Sequence, residues 1–398
     1  AYTLHALRGA AADGIGRAKS QDVSNTLWAM ATLRMAAGSE AYIDRAPIGL
    51  LRGQAIANVM WALTTLNRPR RLRELADLAV AQMRRGAVCP MRPQELANGV
   101  WALAAGGLHH AAFFDAAKAR LSEPSALREL AALSPTGGLL ANVAWSCSLA
   151  AQVLGRRECD EQFLARIRDA MVEHGSMLDA SVPDALPSEA PGEELPPDAD
   201  AAGQEPRVVH RRGSLAVVHK PPGWEVDGNE SKIGSRARKL SEFVRRSIGS
   251  KTASHASYEY GFIHRLDVSS SGLVLHAESF AALMEARWRQ DTHRLERDYL
   301  VLVHGRVEHS GGYRILDNWL VDRGGGSAVS TEGHPARTLL HPIAVLEGAA
   351  ARDGAGGGRL SYTLLAARIV TGRKHQIRAQ LGAAGHPVVC DGRYGGGG

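Results

Sequence analysis

At 398 residues, 45% of them hydrophobic, the chain is too long for one ordinary core, so two or more globular domains are expected. No apolar run reaches the roughly 18–20 residues that span a bilayer, and the most apolar stretch, 141–154, is interrupted by Asn, Ser and Gln, so no membrane segment is expected. The net charge of +6 is unevenly spread: 20 Lys and Arg face 15 Asp and Glu in residues 1–175, none face 8 in 176–206, and 27 face 18 in 207–398. Two basic bodies flanking an acidic strip make a polyanion, nucleic acid first, the partner to consider.

From the N-terminus, one pattern recurs: Gln21, Asn25 and Trp28; Gln54, Asn58 and Trp61; Gln94, Asn98 and Trp101; then Asn142 and Trp145 without the Gln. The Trp-to-Trp spacings are 33, 40 and 44 residues, which predicts a helical array over 1–175 whose units bury their apolar faces against each other. Within a unit the three residues stand at i, i+4 and i+7 and share one helix face. Buried Asn and Trp usually build such arrays, so Trp is expected to pack between units while Asn ties a helix to the next segment. Second helices are expected at 71–85, 111–121 and 158–173. The units resemble the octotricopeptide-type repeats of organellar RNA-maturation factors, which implies RNA binding and a plastid or mitochondrial setting. Protein binding and a cytoplasmic location stay open as alternatives.

Residues 176–206 are rich in Pro, Ala and acid and lack Lys and Arg, so they read as a disordered acidic linker that could also touch the chain's own basic groove. Beyond it the texture turns to strands. Ser214 to His219 is a short strand entering the stiff turn Lys220-Pro221-Pro222-Gly223. Lys232, Arg236, Arg238, Lys239, Arg245, Arg246 and Lys251 surround an apolar stripe of Leu240, Phe243 and Val244, as on a basic helix. His264-Arg265-Leu266-Asp267 lies between apolar Phe262-Ile263 and a strand at 272–275, a loop placement suited to presenting reactive groups. Tyr299 sits in a β-rich run, and Ile377 and Leu381 stand at helical spacing inside the cation-dense segment 370–381. Cys89, Cys147, Cys159 and Cys390 form no Cys-x-x-Cys pair, which predicts reduced thiols and no metal site.

Taken in order, Lys220-Pro221-Pro222-Gly223, HRLD with its following strand, the Tyr299 segment and TGRKHQIRAQL with Gly385-His386-Pro387 and Asp391-Gly392-Arg393-Tyr394-Gly395 resemble the motifs of the RluA-type family of RNA pseudouridine synthases. The resemblance covers most of 207–395. For residues 207–398 it implies an α/β (α+β) pseudouridine synthase domain with a mixed, largely antiparallel central sheet, which follows the α-helical repeat array (1–175) and the linker (176–206) expected from the pattern upstream. It further implies that Asp267 is the nucleophile or base, that Tyr299 packs against the target base, and that Arg378 pairs with Asp267 and keeps it ionised. Arg265 is implied to hold the target nucleotide out of its stack. Lys220, His264, Arg373, Lys374 and His375 join Arg265 as RNA-side residues, although a ring such as His264 or His375 beside a turn is ordinarily just hydrogen-bonded to it.

The chemistry agrees. Isomerising uridine breaks a glycosidic bond without redox change, so no cofactor or metal is needed, only a carboxylate held charged in a dry pocket. Burial raises an Asp pKa and a bidentate Arg opposes the rise. The uridine must leave its stack, where an aromatic surface and cations retain it. The family pattern continues past Gly395–Gly398, so a catalytic domain cut short at its C-terminus is expected, and with Ala1 in place of Met the start of the gene product, and any targeting peptide with it, is expected to lie outside this sequence. Serine stands for the usual threonine at 269–271. An RNA-binding or chaperone protein that keeps the fold without turnover is the alternative. Deleting residues 1–175 is expected to change which RNA is modified more than whether any is.

Overall fold

The structure is a computed structural model that describes residues 19–33, 35, 39–84, 91–153, 160–183, 205–226, 238–308, 311–323, 325–331, 333–348 and 360–395. In chain order the helix-rich half holds α1 (Ser20–Thr32), α2 (Ser39–Arg45), α3 (Gly53–Thr65), α4 (Leu72–Arg84), α5 (Pro93–Ala105), α6 (Ala111–Leu121), α7 (Pro124–Leu133), α8 (Gly138–Gln152) and α9 (Glu161–Ser181). The strand-rich half holds β1 (Arg207–Arg212), β2 (Leu215–Lys220), β3 (Trp224–Glu225), β4 (Arg238–Lys239), α10 (Leu240–Ser247), β5 (Gly272–Ala277), α11 (Phe280–Asp291), β6 (Asp298–His304), β7 (Arg314–Asp322), β8 (Ser327–Ser330), β9 (His334–Gly348), β10 (Leu360–Ile369) and α12 (Gln376–Ala383). No helix among the described residues is long and apolar enough to cross a membrane. Contacts divide the chain into two compact units, Ala1–Ala117 with Ser146–Cys159 and His293–Gly398, and Lys118–Trp145 with Asp160–Thr292. Each unit therefore draws on both halves of the sequence.

In the first unit α3 packs against both α1 and α5. Val23, Leu27 and Met30 of α1, Ile56 and Leu63 of α3, and Leu96 and Leu103 of α5 fill the interior. Asn58 Nδ2 donates to Ser24 Oγ at 3.2 Å, and Thr64 Oγ1 to the Ala102 carbonyl at 2.9 Å, tying neighbours together. Trp28 departs from the expected packing of Trp between units, being 49% exposed, while Trp61 and Trp101 are half-buried. The apolar stripe occupies the inner face, and Trp28, one residue beyond Leu27, is turned about 100° away from it.

The same unit carries an antiparallel five-stranded sheet in the order β6-β10-β9-β7-β8. Its core joins Val303, Val307, Leu340, Leu365, Ala367 and Leu381, with Tyr299 and Ile377 packed at the edge. Helix carbonyls dock onto β9: His334 Nδ1 lies 3.0 Å from the Ala105 carbonyl, and Arg337 Nη1 donates to the Gln152 carbonyl at 2.8 Å. Ala105 and Gln152 end α5 and α8, where the helix dipole favours cationic or donor groups.

The second unit holds the antiparallel sheet β1-β2-β5 and the short parallel pair β3-β4. Val218, Val226, Leu240, Val244, Ala253, Phe262 and Val274 form its core. Helix α10 begins only at Leu240, so Arg238 and Lys239 precede it as β4, and Lys232 and Arg236 lie outside the described residues.

Residues 176–181, expected in the linker, are helical instead, because α9 runs on through Ser181. The Asp179 carboxylate accepts from the backbone N–H groups of Phe280 and Ala281 (2.8 and 3.0 Å) at the start of α11, and this partner holds the extra turn in place. Gly175 permits the approach, since a Cβ there would lie 2.7 Å from Phe280 O and Ala281 Cα. Trp288 Nε1 donates to the Leu164 carbonyl at 2.9 Å. Residues 184–204, with the expected linker contact, lie outside the described residues, as do Cys89 and Cys159. Cys147 and Cys390 are free thiols.

Candidate active site

Asp267 belongs to the irregular loop 264–271 between the bridge residue Phe262 and β5. Phe262 and Ile263 are buried and Leu266 packs on the core of this unit. Three apolar anchors therefore fix the loop and leave Arg265 exposed and Asp267 half-buried. The Asp267 carbonyl accepts from Ser270 N–H (3.0 Å), and the next carbonyl, Val268, accepts from Gly223 N–H (2.8 Å). His264 Nε2 accepts from Leu275 N–H at 3.4 Å, a backbone tie of the ordinary kind.

Lys220, expected on the RNA side, does not reach the surface. Its side chain is fully buried and its Nζ donates to the carbonyls of Pro221, Trp224 and Val268. β2 ends at this residue with inward-facing alternation, Ala216, Val218 and Lys220 all pointing into the core, and that register directs the lysine inward. Burial pushes its pKa down to about 8, partly offset by the Asp267 carboxylate.

The other residues singled out in the sequence lie in the first unit. Tyr299 stands on β6 opposite Ala367 of β10, half-buried against the sheet core. Arg378, on α12, makes a bidentate pair with Asp391 through Nε (2.7 Å) and Nη2 (2.9 Å), and its guanidinium lies 5.2 Å from the Tyr394 ring centre. That pair holds the Asp391 carboxyl below its ordinary range. Arg373 donates through Nε to the Pro335 carbonyl at 3.3 Å, and burial brings its guanidinium down to about 10. His375 opens α12 with a left-handed backbone, φ 49°, its Nδ1 3.0 Å from Tyr394 Oη. The Lys374 carbonyl accepts from Ser327 Oγ at 2.6 Å. Burial, then repulsion from Arg297 and Arg373, lowers the His293 pKa to about 4.

Sequence reasoning missed the polar bolt behind α12. Gln376 Nε2 donates to the Arg337 carbonyl and to Thr338 Oγ1 (3.0 and 2.9 Å), while its Oε1 accepts from Thr371 Oγ1 at 2.8 Å. Gln380 Oε1 accepts from Thr338 Oγ1 at 2.6 Å, and its Nε2 donates to the Ala336 carbonyl at 2.9 Å. All four side chains are buried and satisfied, so α12 has a fixed seat on the sheet. The available signal was two Gln one turn apart on one face, beside the arginines that drew attention. Asp391 was quoted in the motif but not read as Arg378's partner. Among the described residues no group of three or more His, Cys, Asp or Glu side chains is placed to hold a metal ion.

Residues 214–383 match the RNA pseudouridylate synthase family. The chain is 34% identical over 184 residues to the ribosomal large subunit pseudouridine synthase C of Yersinia pestis, covering 46% of this chain and 50% of that one. It is 31% identical over 194 residues to the RNA pseudouridylate synthase domain-containing protein 1 of Bos taurus, covering 47% and 60%. Against the solved structure of human RNA pseudouridylate synthase domain containing 1 the identity is 23% and the TM-score 0.35, with 48% of this chain and 70% of that one covered. The chain spans about half the length of the ribosomal large subunit pseudouridine synthase C relatives it matches. The family match and the named relatives together support the RNA pseudouridine synthase family for residues 214–383.

Proposed function

We propose that the protein isomerises uridine to pseudouridine in structured RNA, whether ribosomal, transfer or organellar, with Asp267 as nucleophile or base. In this reaction the N1–C1′ bond breaks, the uracil turns, and a C5–C1′ bond forms. The proton at C5 leaves and N1 gains one, so the change is redox-neutral. The observation that carries the reading is the seat of Asp267, a half-buried carboxylate in a loop pinned by buried Phe262 and Ile263 and held by hydrogen bonds at two successive carbonyls. A reacting group held this firmly spends little free energy on orientation. Tyr299 is assigned to the target base and Arg378 to keeping the carboxylate charged, roles that the motif resemblance implies. Arg265, exposed beside Asp267, suits retention of the extruded nucleotide.

The helical half is proposed to contact RNA away from the modified uridine. Its support is the exposure of Gln21, Asn25 and Trp28 on one face of α1, where an aromatic surface and amides can meet unstacked bases.

The test uses the full chain and in vitro transcripts of ribosomal and transfer RNA, which start without pseudouridine. The unaltered protein should form pseudouridine at discrete positions. Asp267→Asn should lower the rate by at least about 10²-fold, the scale of a lost nucleophile or base. Pseudouridine formed at an undiminished rate by Asp267→Asn defeats the assignment of the nucleophile, and none formed by the unaltered protein on any transcript defeats the activity.

A further inference from the structure

β1 (Arg207–Arg212) is an edge strand of the sheet β1-β2-β5, and all of its residues except Val208 are exposed. Its sequence, Arg-Val-Val-His-Arg-Arg, carries three arginines, one histidine and no acid. Strict alternation would set Arg207, Val209 and Arg211 on one face and Val208, His210 and Arg212 on the other. The register departs from that rule. It pairs Arg207 with His219 and Val208 with Val218, passes over Val209, and resumes with His210 on Val217, Arg211 on Ala216 and Arg212 on Leu215. Val209 is therefore the extra residue of a β-bulge, and beyond it the parity of the strand is reversed.

The reversal sorts the cations. Arg207, His210 and Arg212 come to share the outer face with His219, Val217 and Leu215, opposite the buried Ala216 and Val218. Arg211 falls on the core side, where its Nε lies 3.0 Å from a Glu278 carboxylate oxygen. The registers place no Asp or Glu on the outer face of β1, β2 or β5, so the cations gathered there are not neutralised within the sheet face. They form a row about 15 Å long at roughly 3.3 Å per residue. One end of that row, Arg207 beside His219 and Leu273, lies where the 220–223 turn leaves β2 and the 264–271 loop enters β5.

A charged, bulged edge strand also resists pairing with another chain. That purpose is indifferent to the sign of the charge and to the face it occupies, and it does not account for a basic face set against an acid-paired one. The bulge likewise disfavours an acidic peptide that would add as a further strand, because it interrupts the ladder such a strand needs. Phosphates ask for neither sheet backbone nor regular register, only for cations and donors on one surface.

We propose that the outer face of β1, with Arg207, His210 and Arg212 and with His219 from β2, binds the phosphate backbone of the RNA that carries the target uridine. The inference rests on the RNA reading given above and adds a place to it. A strand whose uridine is held at the Asp267 loop passes Arg207 first and Arg212 last, and the contact carries affinity without reading base identity.

The experiment measures binding of the full chain to an in vitro ribosomal RNA transcript between about 50 and 200 mM salt, where each lost phosphate contact lowers the slope of log K against log salt by about 0.7–0.9. Arg207→Gln with Arg212→Gln should weaken binding at least tenfold and reduce the slope by roughly 1.4–1.8, raising KM while kcat at saturating RNA stays within twofold. Arg207→Lys with Arg212→Lys should preserve the slope. So should Arg211→Gln, which removes a cation from the same strand on the other face. Arg207→Glu with Arg212→Glu keeps a charged edge, so a monomeric protein that has lost binding supports phosphate contact over edge protection. An unchanged slope in the Gln pair overturns the proposal, as does an equal loss in Arg211→Gln, the mark of a general charge effect. Competition by a poly-glutamate peptide as effective as competition by the transcript assigns the face to acidic protein and overturns the RNA contact. If the Gln pair does not fold, the single variants Arg207→Gln and Arg212→Gln decide, each by a slope change of about 0.7–0.9. A chain that forms no pseudouridine yet shows the slope change loses the enzymatic reading and keeps this surface; pseudouridine formed with an unchanged slope does the reverse.

Discussion

Removal of residues 1–175 should leave a chain that does not fold, rather than one that differs more in which RNA it modifies than in whether it modifies any. The cut falls inside α9 (Glu161–Ser181) and takes with it Phe163, Leu164, Ile167 and Met171, all buried. Burial of such side chains is worth about 1.5–3 kcal/mol each, so on the order of 6–12 kcal/mol is lost, an upper figure because unfolded chains retain some burial. Trp288 Nε1 also loses the Leu164 carbonyl, which adds about 1–3 kcal/mol for a stranded buried donor. In the other unit, His334 and Arg337 lose the carbonyls of Ala105 and Gln152. The total rivals the roughly 5–15 kcal/mol that holds a whole domain. The assay is urea unfolding of residues 176–398 beside the full chain, followed by near-ultraviolet circular dichroism. A cooperative transition with a midpoint within about 0.5 M of the full chain's would refute the reasoning, because the slope of 1–3 kcal/mol per molar makes a loss of this size unmistakable.

Acid should weaken the second unit through His276, which is fully buried with Nε2 2.9 Å from Ser250 Oγ and a pKa held at about 4 by burial. Its folded value lies below the ordinary 6.5, so the unfolded chain takes the proton first. The stabilisation is whole above about pH 6.5 and declines towards pH 4, by up to about 3 kcal/mol. Unfolding at pH 7 and 4.5 should show that slope, and His276→Gln should flatten it; equal slopes in both proteins contradict the prediction. For the Arg378–Asp391 pair, whose carboxylate is 4% exposed, Asp391→Asn should cost about 1.5–3 kcal/mol. A double-mutant cycle with Arg378→Met should return a coupling of about 1–3 kcal/mol, and strict additivity would show that the pair is energetically idle. Trp28→Ala should change stability by no more than about 0.5 kcal/mol, since the ring is half-exposed, yet weaken RNA binding by about 1–3 kcal/mol. Undiminished affinity for an in vitro transcript would remove RNA from this face and leave protein binding as its use.

Where local pattern decides structure, the sequence was readable. The strand expected at 214–219 formed one residue later, at Leu215–Lys220, and the strand after the serine turn at 269–271 and the run carrying Tyr299 also became strands, as β-branched and aliphatic residues between turns should. Helix α12 followed the spacing of Ile377 and Leu381. β9 escaped notice because Pro335 and Pro342 interrupt it. The structure accommodates Pro342 where the β9–β10 register shifts, between the pairs Leu364↔Ala344 and Leu365↔Pro342, a place where a missing N–H breaks no regular ladder. The length of α9 was unreadable for a different reason. Residues 176–181 have no strong apolar rhythm, and what holds them helical is the backbone of α11 a hundred residues on, reached through Asp179.

The site divides along the same line. The motif resemblance singled out Asp267, Tyr299 and Arg378 as candidates, and the proposed chemistry has a use for a carboxylate, an aromatic surface and a cation. Direction was not in the pattern. Lys220 looked like a phosphate ligand because a cation beside Pro-Pro-Gly suggests an exposed turn, whereas the strand before it fixes the parity: Ala216 and Val218 point inward, so Lys220 does too. A charged group on the buried parity of a strand has to find backbone acceptors, and here one acceptor is the carbonyl that follows Asp267. Counting two residues back from the turn would have raised that question before any coordinates, and the same count applied to Gln376 and Gln380, four apart on the inner side of α12, would have pointed to the bolt that seats Arg378's helix. In both cases the informative residue is a polar one at a position where periodicity calls for an apolar one. Such a residue is retained only if its hydrogen bonds repay its desolvation, and around Asp267 those bonds go to the loop that carries the carboxylate.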